Sequence, residues 1–201
     1  MNIFITGIIL LYSLAVSSPG SAPIPDLYNT GMNSQREVLP DGSDDEHYTL
    51  ISSADKSYPG PETKVSLSTG FPMDRWLTNS RFSKWIAPRT DAVNFNEVGL
   101  YVYRTEFDLS KFKHNTAVIR GLWSSDNNGV DILINGKSTG YYTPIEAYYG
   151  MFPFEISEGF VEGINTLDFV VNNVNAPTGL RVELNGQADP KEFVFAINNE
   201  Q

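Results

Sequence analysis

The stretch that decides the fold runs from 101 to 173 and contains YVYRTEFDLS (101–110), VDILINGKSTG (130–140) and GINTLDFVVNN (163–173). In the first segment, aromatic and aliphatic side chains alternate with polar ones, which is the period of a half-buried strand. The Asn135-Gly136 pair favours the positive φ values of a two-residue hairpin turn. The third segment is rich in β-branched and aromatic residues. The three segments predict strands of one antiparallel β-sandwich, and so an all-β protein.

The composition limits the classes of partner. The chain has 201 residues, a formal net charge of −10 and no cysteine. This length suits one sizeable domain with tails, stabilised by a sheet core without disulfides. Nucleic acids and acidic membrane surfaces require clustered lysine and arginine, so the negative charge argues against both as partners. It is compatible with calcium, with neutral sugars and with simple solubility.

The chain divides into four regions. Residues 1–22 contain an apolar run followed by small residues, which predicts a signal peptide, although a buried N-terminal element also fits the run. Residues 23–40 are rich in Pro, Gly, Asn and Ser and are interpreted as a linker or a loosely docked arm. Residues 41–188 are predicted to form the sandwich. The tail, 189–201, includes an alternating FVFAI segment that predicts an edge strand, a pairing surface for a partner chain, or a last strand of its own sheet.

Aromatic residues mark the segment 71–96 as either functional or packed against the domain. It carries Trp76 and Trp85 on a polar background, without a clear strand pattern. Indole rings beside arginine and asparagine are suited to stacking on sugar rings, but aromatic side chains also close the ends of sandwich cores. We therefore consider Trp76 a candidate ligand-binding residue and Trp85 a structural one.

Two further loops in the central block are candidate ligand sites. Trp123 is followed by Asp126, Asn127 and Asn128 in a predicted polar turn, which suits either a sugar- or ion-binding loop or ordinary turn chemistry. The loop after the hairpin is the favoured recognition surface because tyrosine provides rigid, amphipathic contact area. Part of this cluster is expected to pack on the sheet. Its four tyrosines are Tyr141, Tyr142, Tyr148 and Tyr149.

The same strands carry a family resemblance. The segments YRTEFDLS, VDILINGKSTGYY, FPFEIS and EGINTLDFVVNN resemble the sugar-binding jelly-roll domain of β-galactosidase and β-glucuronidase type glycoside hydrolases, and more broadly the galactose-binding-like β-sandwiches. Over 39–188 the chain is also similar to a sandwich module of bacterial secreted proteins that carry a PEP-CTERM sorting tail. The resemblance implies a jelly roll, a fold shared by lectins, adhesins and spacer domains.

The acidic run 41–48 is a candidate calcium-binding loop. Its carboxylates offer hard oxygen ligands at close spacing, but the spacing does not match an EF-hand loop. In calcium-binding members of the family that the chain resembles, one ion ties an N-terminal loop to a glutamate on the last strand. That resemblance implies Asp41 or Asp44 together with Glu183 as metal ligands. The alternative is a solvated acidic loop, with Glu183 paired to Arg181.

Catalytic motifs are scarce. The two histidines have no partner at metal-ligand spacing, and neither a nucleophile elbow nor a phosphate loop occurs. The sequence therefore predicts a secreted, non-catalytic carbohydrate-binding module, located outside the cell or in its envelope, monomeric or weakly self-associating and without a membrane span after signal removal. The alternative is a structural or adhesive envelope protein that uses the sandwich for protein contacts, and a small hydrolase is a third, weaker interpretation.

Overall fold

The computed structural model describes residues 20–91, 96–175 and 177–191. These residues form two packed antiparallel sheets, as the sequence predicts, with two short 3₁₀ turns at His114–Thr116 and Ala147–Tyr149. The strands are β1 (Ala22–Pro23), β2 (Thr49–Ser52), β3 (Lys64–Val65), β4 (Ile86–Ala87), β5 (Gly99–Asp108), β6 (Val118–Asp126), β7 (Asn128–Ile134), β8 (Lys137–Ser138), β9 (Phe152–Ile156), β10 (Ile164–Asn173) and β11 (Gly179–Ala188).

The strand order is that of a jelly roll. One sheet has the order β3-β4-β11-β6-β9, with β1 beside β11, and the other has the order β2-β5-β10-β7-β8. From β4 to β11 every connection crosses between the sheets, except the hairpin that joins β7 to β8. This alternation places the eight strands in two interlocking Greek keys. The predicted fold class, an all-β antiparallel sandwich, is confirmed.

The longest pairing joins β5 to β10, from Ile164 opposite Asp108 to Asn173 opposite Gly99. The alternating side chains of β5 are buried on one face, as their period predicts. The hairpin also forms as expected: Asn135 and Gly136 have φ values of 50° and 76°, as a type I′ turn requires, and Ile134 pairs with Lys137.

The core lies between the two sheets and is rich in aromatic side chains. Trp123 on β6 is fully buried and packs against Phe169 on β10, with ring centroids 5.7 Å apart. Gly129 on β7 is needed beside it, because a Cβ there would lie 2.1 Å from the Trp123 ring. The close approach of the two sheets at this point therefore depends on a residue without a side chain.

The segment 23–40, interpreted from its composition as a linker or a loosely docked arm, is docked on the sandwich. Ile24 and Leu27 are buried in the main core, and Pro23 pairs with Gln187 on β11. The buried hydroxyl of Thr30 donates to Lys84 O at 2.7 Å. The composition of the segment predicts irregular backbone, but its isolated apolar residues are sufficient to anchor it on the sheet.

The segment 71–85 packs as a flap against the outer side of β11. Trp76 and Trp85 contact each other at a centroid distance of 4.3 Å and form a second apolar cluster with Met73 and Ala87. Arg181 points away from the main core yet is buried beneath this flap, where it donates to Thr78 O at 2.6 Å and to Ser83 Oγ at 2.7 Å. The structural role expected for Trp85 is confirmed by its complete burial.

Both chain ends of the sequence lie partly outside the described residues. The predicted signal peptide falls on 1–19 for the most part, and the FVFAI segment lies entirely within 192–201. Both interpretations therefore stay predictions. Within the described ranges, no helix has the length and apolar character needed to cross a membrane.

Candidate functional site

The candidate site is built on the corner between β6 and β7. β6 ends at Asp126 in one sheet and β7 begins at Asn128 in the other, so Asn127 alone carries the chain across. The peptide bond between Asp126 and Asn127 is cis. Asn127 Oδ1 accepts hydrogen bonds from the main-chain nitrogens of Val174 (2.7 Å) and Asn175 (3.3 Å). The predicted polar loop is thus a tight corner whose Asn side chain fixes the connection after β10.

Asp126 is a buried carboxyl with incomplete hydrogen bonding. Trp76 Nε1 donates to its Oδ2 at 2.7 Å, whereas its Oδ1 has no hydrogen-bond partner among the described residues. Burial raises the pKa of Asp126 to about 7; the indole hydrogen bond opposes this shift, and the nearby charge of Glu146 adds to it. The carboxyl therefore gains or loses its proton close to neutral pH.

The tyrosine loop, residues 140–150, is held on this corner by hydrogen bonds that mostly involve its backbone. Thr143 and Gly129 are joined twice: Gly129 N donates to Thr143 Oγ1 at 2.7 Å, and Thr143 N donates to Gly129 O at 2.9 Å. Ala147 N donates to Asn127 O at 3.0 Å, and Ser124 Oγ donates to Ala147 O at 2.9 Å. These bonds hold the two halves of the loop at fixed positions on the sandwich.

The flap meets the tyrosine loop at Tyr148. Leu77 N donates to Tyr148 O at 2.7 Å, and the half-buried Tyr148 ring packs against the Trp76 and Trp85 cluster. Burial raises the pKa of Tyr148, the charges of Glu146 and Asp126 raise it further, and Arg75 lowers it. Two acidic groups and one basic group therefore act on the same tyrosine.

Although its backbone is fastened, the tyrosine loop presents large side chains to solvent. Tyr142 is 75% exposed, Ile145 68% and Tyr149 61%. Tyr149 is supported from the side by edge contacts with Tyr148 and Phe152, at centroid distances of 6.4 and 6.1 Å. Tyr141 is half-buried and packs on Phe154, in agreement with the expectation that part of the cluster covers the sheet.

Four of the candidate contact residues lie at buried positions, and their role in ligand binding stays a prediction. Trp123, Trp76, Asp126 and Asn127 are all buried, so none of them presents a surface to a ligand in this structure. Trp123 lies between the two sheets, against Gly129. The other three lie beside the flap, the tyrosine loop or the connection after β10, which the sequence could not show to be adjacent. Asn128 is half-buried at the start of β7. The candidates left at the surface are Tyr142 and Tyr149, which are exposed, and Tyr148, which is half-buried.

The structure adds residues that sequence reasoning missed. Ile145 and Arg75 are exposed beside the tyrosines, and Thr143 anchors their loop. An apolar residue directly after Pro144 was a usable signal for Ile145. Thr143 gave no signal, because its role depends on Gly129, fourteen positions away on β7.

The carboxylates predicted as calcium ligands are each engaged with protein groups. Lys84 Nζ lies 2.8 Å from Asp41 Oδ1, Asp44 pairs with Lys64, and Glu183 Oε1 accepts from Ser83 Oγ at 2.7 Å. Burial raises the pKa of Asp41, but hydrogen bonds from Lys84 and Ser68 outweigh it and leave the pKa below its ordinary value. Glu183 also pairs with Arg181 at 3.3 Å. Calcium binding at these residues stays an untested prediction.

Across the described ranges, acidic and histidine side chains form no group of three or more that could hold a metal ion.

Comparisons with protein-family models, with curated proteins and with solved structures found no match for this chain. The assignment of the fold as an antiparallel, two-sheet β-sandwich depends on the strand arrangement alone. The finer likeness to galactose-binding-like domains depends on the sequence segments quoted above.

Proposed function

We propose that this protein is an exported, non-catalytic carbohydrate-binding module of the galactose-binding-like type, which contacts sugar through Tyr142, Tyr148 and Tyr149. One observation carries the proposal: the backbone of the tyrosine loop is fastened by hydrogen bonds to the β6–β7 corner, while its large side chains face solvent. A loop that only connected two strands would have no need of exposed aromatic rings at fixed positions.

The physical chemistry of the loop suits a sugar ring. Tyrosine offers a flat apolar face for the CH groups of a pyranose and a hydroxyl for its polar edge. Because the backbone is already ordered, little conformational entropy is lost on binding. Arg75 and Glu146, which act on Tyr148, provide a donor and an acceptor for sugar hydroxyls at the rim of this surface.

The charge of the protein narrows the ligand class. A formal net charge of −10 repels polyanions, so that neutral hexose-containing glycans are favoured over sulfated or uronic-acid-rich ones. The absence of recognisable catalytic motifs in the sequence is the reason for proposing binding without turnover. Export is proposed from the apolar run and small residues within 1–22.

The test is a glycan array followed by titration calorimetry on the glycans that bind. We expect selective binding of neutral glycans, and a loss of about tenfold or more in affinity for Tyr149→Ala, because aromatic anchors dominate such interfaces. Phe82→Ala on the flap is the matched control, since Phe82 is exposed but lies outside the tyrosine loop. Equal losses in both variants, or no binding to any glycan, would contradict the proposal.

A second candidate function is supported by Ile145. An exposed isoleucine between exposed tyrosines suits a protein contact as well as a sugar contact, and this favours the structural or adhesive alternative. Sedimentation measurements over a range of concentrations distinguish the two. Self-association that Ile145→Ser abolishes, together with an empty glycan array, would support the adhesive function and remove the sugar-binding one.

A further inference from the structure

A second polar cluster lies where β5 begins and β10 ends, and the proposed sugar contacts do not involve it. Its side chains come from three places in the chain: Asp55 after β2, Asn96 before β5 and Asn173 at the last position of β10. They are 5%, 3% and 0% exposed, respectively. The cluster is therefore internal, although aspartate and asparagine are usually found at the surface.

The hydrogen bonds within the cluster use the amide nitrogens. Asn173 Nδ2 donates to the carbonyl oxygens of Asn96 and Glu97, both at 3.1 Å. Asn96 Nδ2 approaches Asp55 Oδ2 at 3.5 Å, the outer limit of a hydrogen bond. The Tyr101 hydroxyl donates to Glu97 O at 2.7 Å, and Ser57 N donates to Asp55 Oδ1 at 2.9 Å.

These bonds leave oxygen atoms without donors. Within the described part of the chain, neither Asn96 Oδ1 nor Asn173 Oδ1 has a hydrogen-bond partner, although both atoms are buried. Each oxygen belongs to the same side-chain amide as a nitrogen that bonds inside the cluster. Buried acceptors without partners are costly and uncommon in folded proteins. A bound cation, or a hydrogen-bond donor such as water, next to these oxygens would remove this cost.

The local charge has the sign that a cation requires. Asp55 brings a buried carboxyl group to the cluster, and Glu97 directly follows Asn96 in the chain. Arg89, on which the charge of Asp55 acts, is engaged by Asp91 through two hydrogen bonds of 2.6 and 3.0 Å. The cluster thus combines a buried carboxylate, two free amide oxygens and a second acidic residue nearby.

We propose that Asp55, Asn96 and Asn173 form a binding site for a hard divalent cation of the calcium class. Calcium accepts carboxylate, amide and carbonyl oxygens in flexible geometry, which matches this set of ligands. With a single buried carboxylate, the site belongs in the weak range of about 10⁻⁴–10⁻³ M typical of extracellular modules. The bound ion would tie the segment after β2 to the ends of β5 and β10.

This site is distinct from the one implied by family resemblance at Asp41, Asp44 and Glu183, where protein groups already engage each carboxylate. It is also independent of sugar binding. A water molecule that donates to both amide oxygens is the competing occupant, and it would make stability insensitive to calcium.

The experiment compares thermal melts and terbium luminescence in millimolar calcium and in chelator for the wild type, Asp55→Asn and Asp41→Asn. Terbium is a calcium substitute that nearby tyrosine sensitises, and Tyr101 lies within this cluster. We expect calcium to raise the Tm of the wild type and of Asp41→Asn by about 3–5 °C. We expect Asp55→Asn to lose both the Tm shift and the luminescence.

Asn173→Asp keeps the proposal testable if Asp55→Asn does not fold. The added carboxylate should lower stability in chelator and increase the calcium affinity about tenfold, because ligand charge sets the affinity of such sites. A wild-type Tm that is the same in calcium and in chelator would mean a bridging water only and would overturn the proposal. A calcium-induced rise in Tm that persists in Asp55→Asn would also overturn it. So would a calcium affinity of Asn173→Asp equal to that of the wild type.

Discussion

Two buried carboxyl groups, Asp45 and Asp126, both lose their hydration on folding, and protein hydrogen bonds replace it to different extents. Asp45 accepts three main-chain N–H groups, from Gly31 at 2.6 Å, His47 at 2.8 Å and Tyr48 at 2.9 Å. Asp126 accepts one indole N–H, and its second oxygen has no partner in the described ranges. Both are nearly inaccessible to water. The difference lies in how far hydrogen bonds replace the lost hydration.

The consequence is visible in their pKa values and in what each residue holds in place. Burial raises the pKa of Asp45 to about 6, with three backbone hydrogen bonds opposing the shift, and raises that of Asp126 to about 7 with one bond opposing it. Asp45 joins the segment 23–40 to the start of β2. Asp126 lies beneath the flap and beside the tyrosine loop. A buried carboxyl with many donors fixes the backbone, whereas one with few donors makes its surroundings sensitive to pH.

The largest effect is expected for Asp45→Ala. The substitution leaves three N–H groups without their acceptor, each costing about 1–3 kcal/mol, so the free energy of unfolding should fall by about 5 kcal/mol. Urea denaturation followed by circular dichroism measures it. Asp44→Ala is the matched control, because the adjacent Asp44 pairs with Lys64 at the surface and such pairs contribute about 0–1 kcal/mol. Similar losses in the two variants would show that the Asp45 network is not what stabilises this corner.

The next effect concerns pH and Asp126→Asn. Because the pKa of Asp126 is raised in the folded state, its stabilising contribution is complete below the unfolded pKa of 3.8 and is lost as pH rises through about 7. The variant cannot ionise. Its stability relative to the wild type should therefore increase between pH 4 and pH 8, by up to about 4 kcal/mol at 1.36 kcal/mol per pKa unit. Denaturation curves across this range measure the difference, and a constant offset at every pH would contradict the assignment.

Trp76→Phe should have a smaller effect, of about 2 kcal/mol. Phenylalanine keeps the ring contact with Trp85 but removes the hydrogen bond to Asp126. Since that bond stabilises the ionised carboxylate, the destabilisation should be larger at pH 8 than at pH 5. Trp85→Phe is the control, because its indole donates to the Leu77 carbonyl oxygen, which does not titrate. Pairs of melts at the two pH values compare the variants; an equal pH dependence in both would argue against coupling between Trp76 and Asp126.

Much of the fold was predictable because its signals are local. The alternation in β5 and the Asn135-Gly136 turn depend only on neighbouring residues, and both are found as expected. The contacts of the flap could not be predicted from local signals. The sequence places Arg181 on the outer face of β11, correctly, but its burial depends on main-chain oxygens of Leu77 and Thr78 about a hundred positions away.

The candidate site was predictable to a lesser extent for the same reason. The tyrosine loop stood out by composition, and Tyr142 and Tyr149 are exposed as a contact surface requires. Composition could not show that Trp123 faces Gly129 inside the sandwich or that Trp76 reaches Asp126. Whether an aromatic side chain contacts a ligand or the core depends on which distant segment covers it, and a single sequence does not contain that information.

The smallest effect is expected for Thr143→Val, which tests whether the tyrosine loop is fixed by its anchor. Valine keeps the shape of threonine but leaves the buried Gly129 N–H without its acceptor, and we expect a loss of about 1 kcal/mol. Hydrogen exchange measured by mass spectrometry should become faster in 140–150. Thr139→Val is the control, because the Ile132 carbonyl oxygen that accepts from its hydroxyl keeps a second donor, Thr139 N, at 3.0 Å. Unchanged exchange in Thr143→Val would mean that the bonds at Ala147 and Tyr148 hold the loop without Thr143.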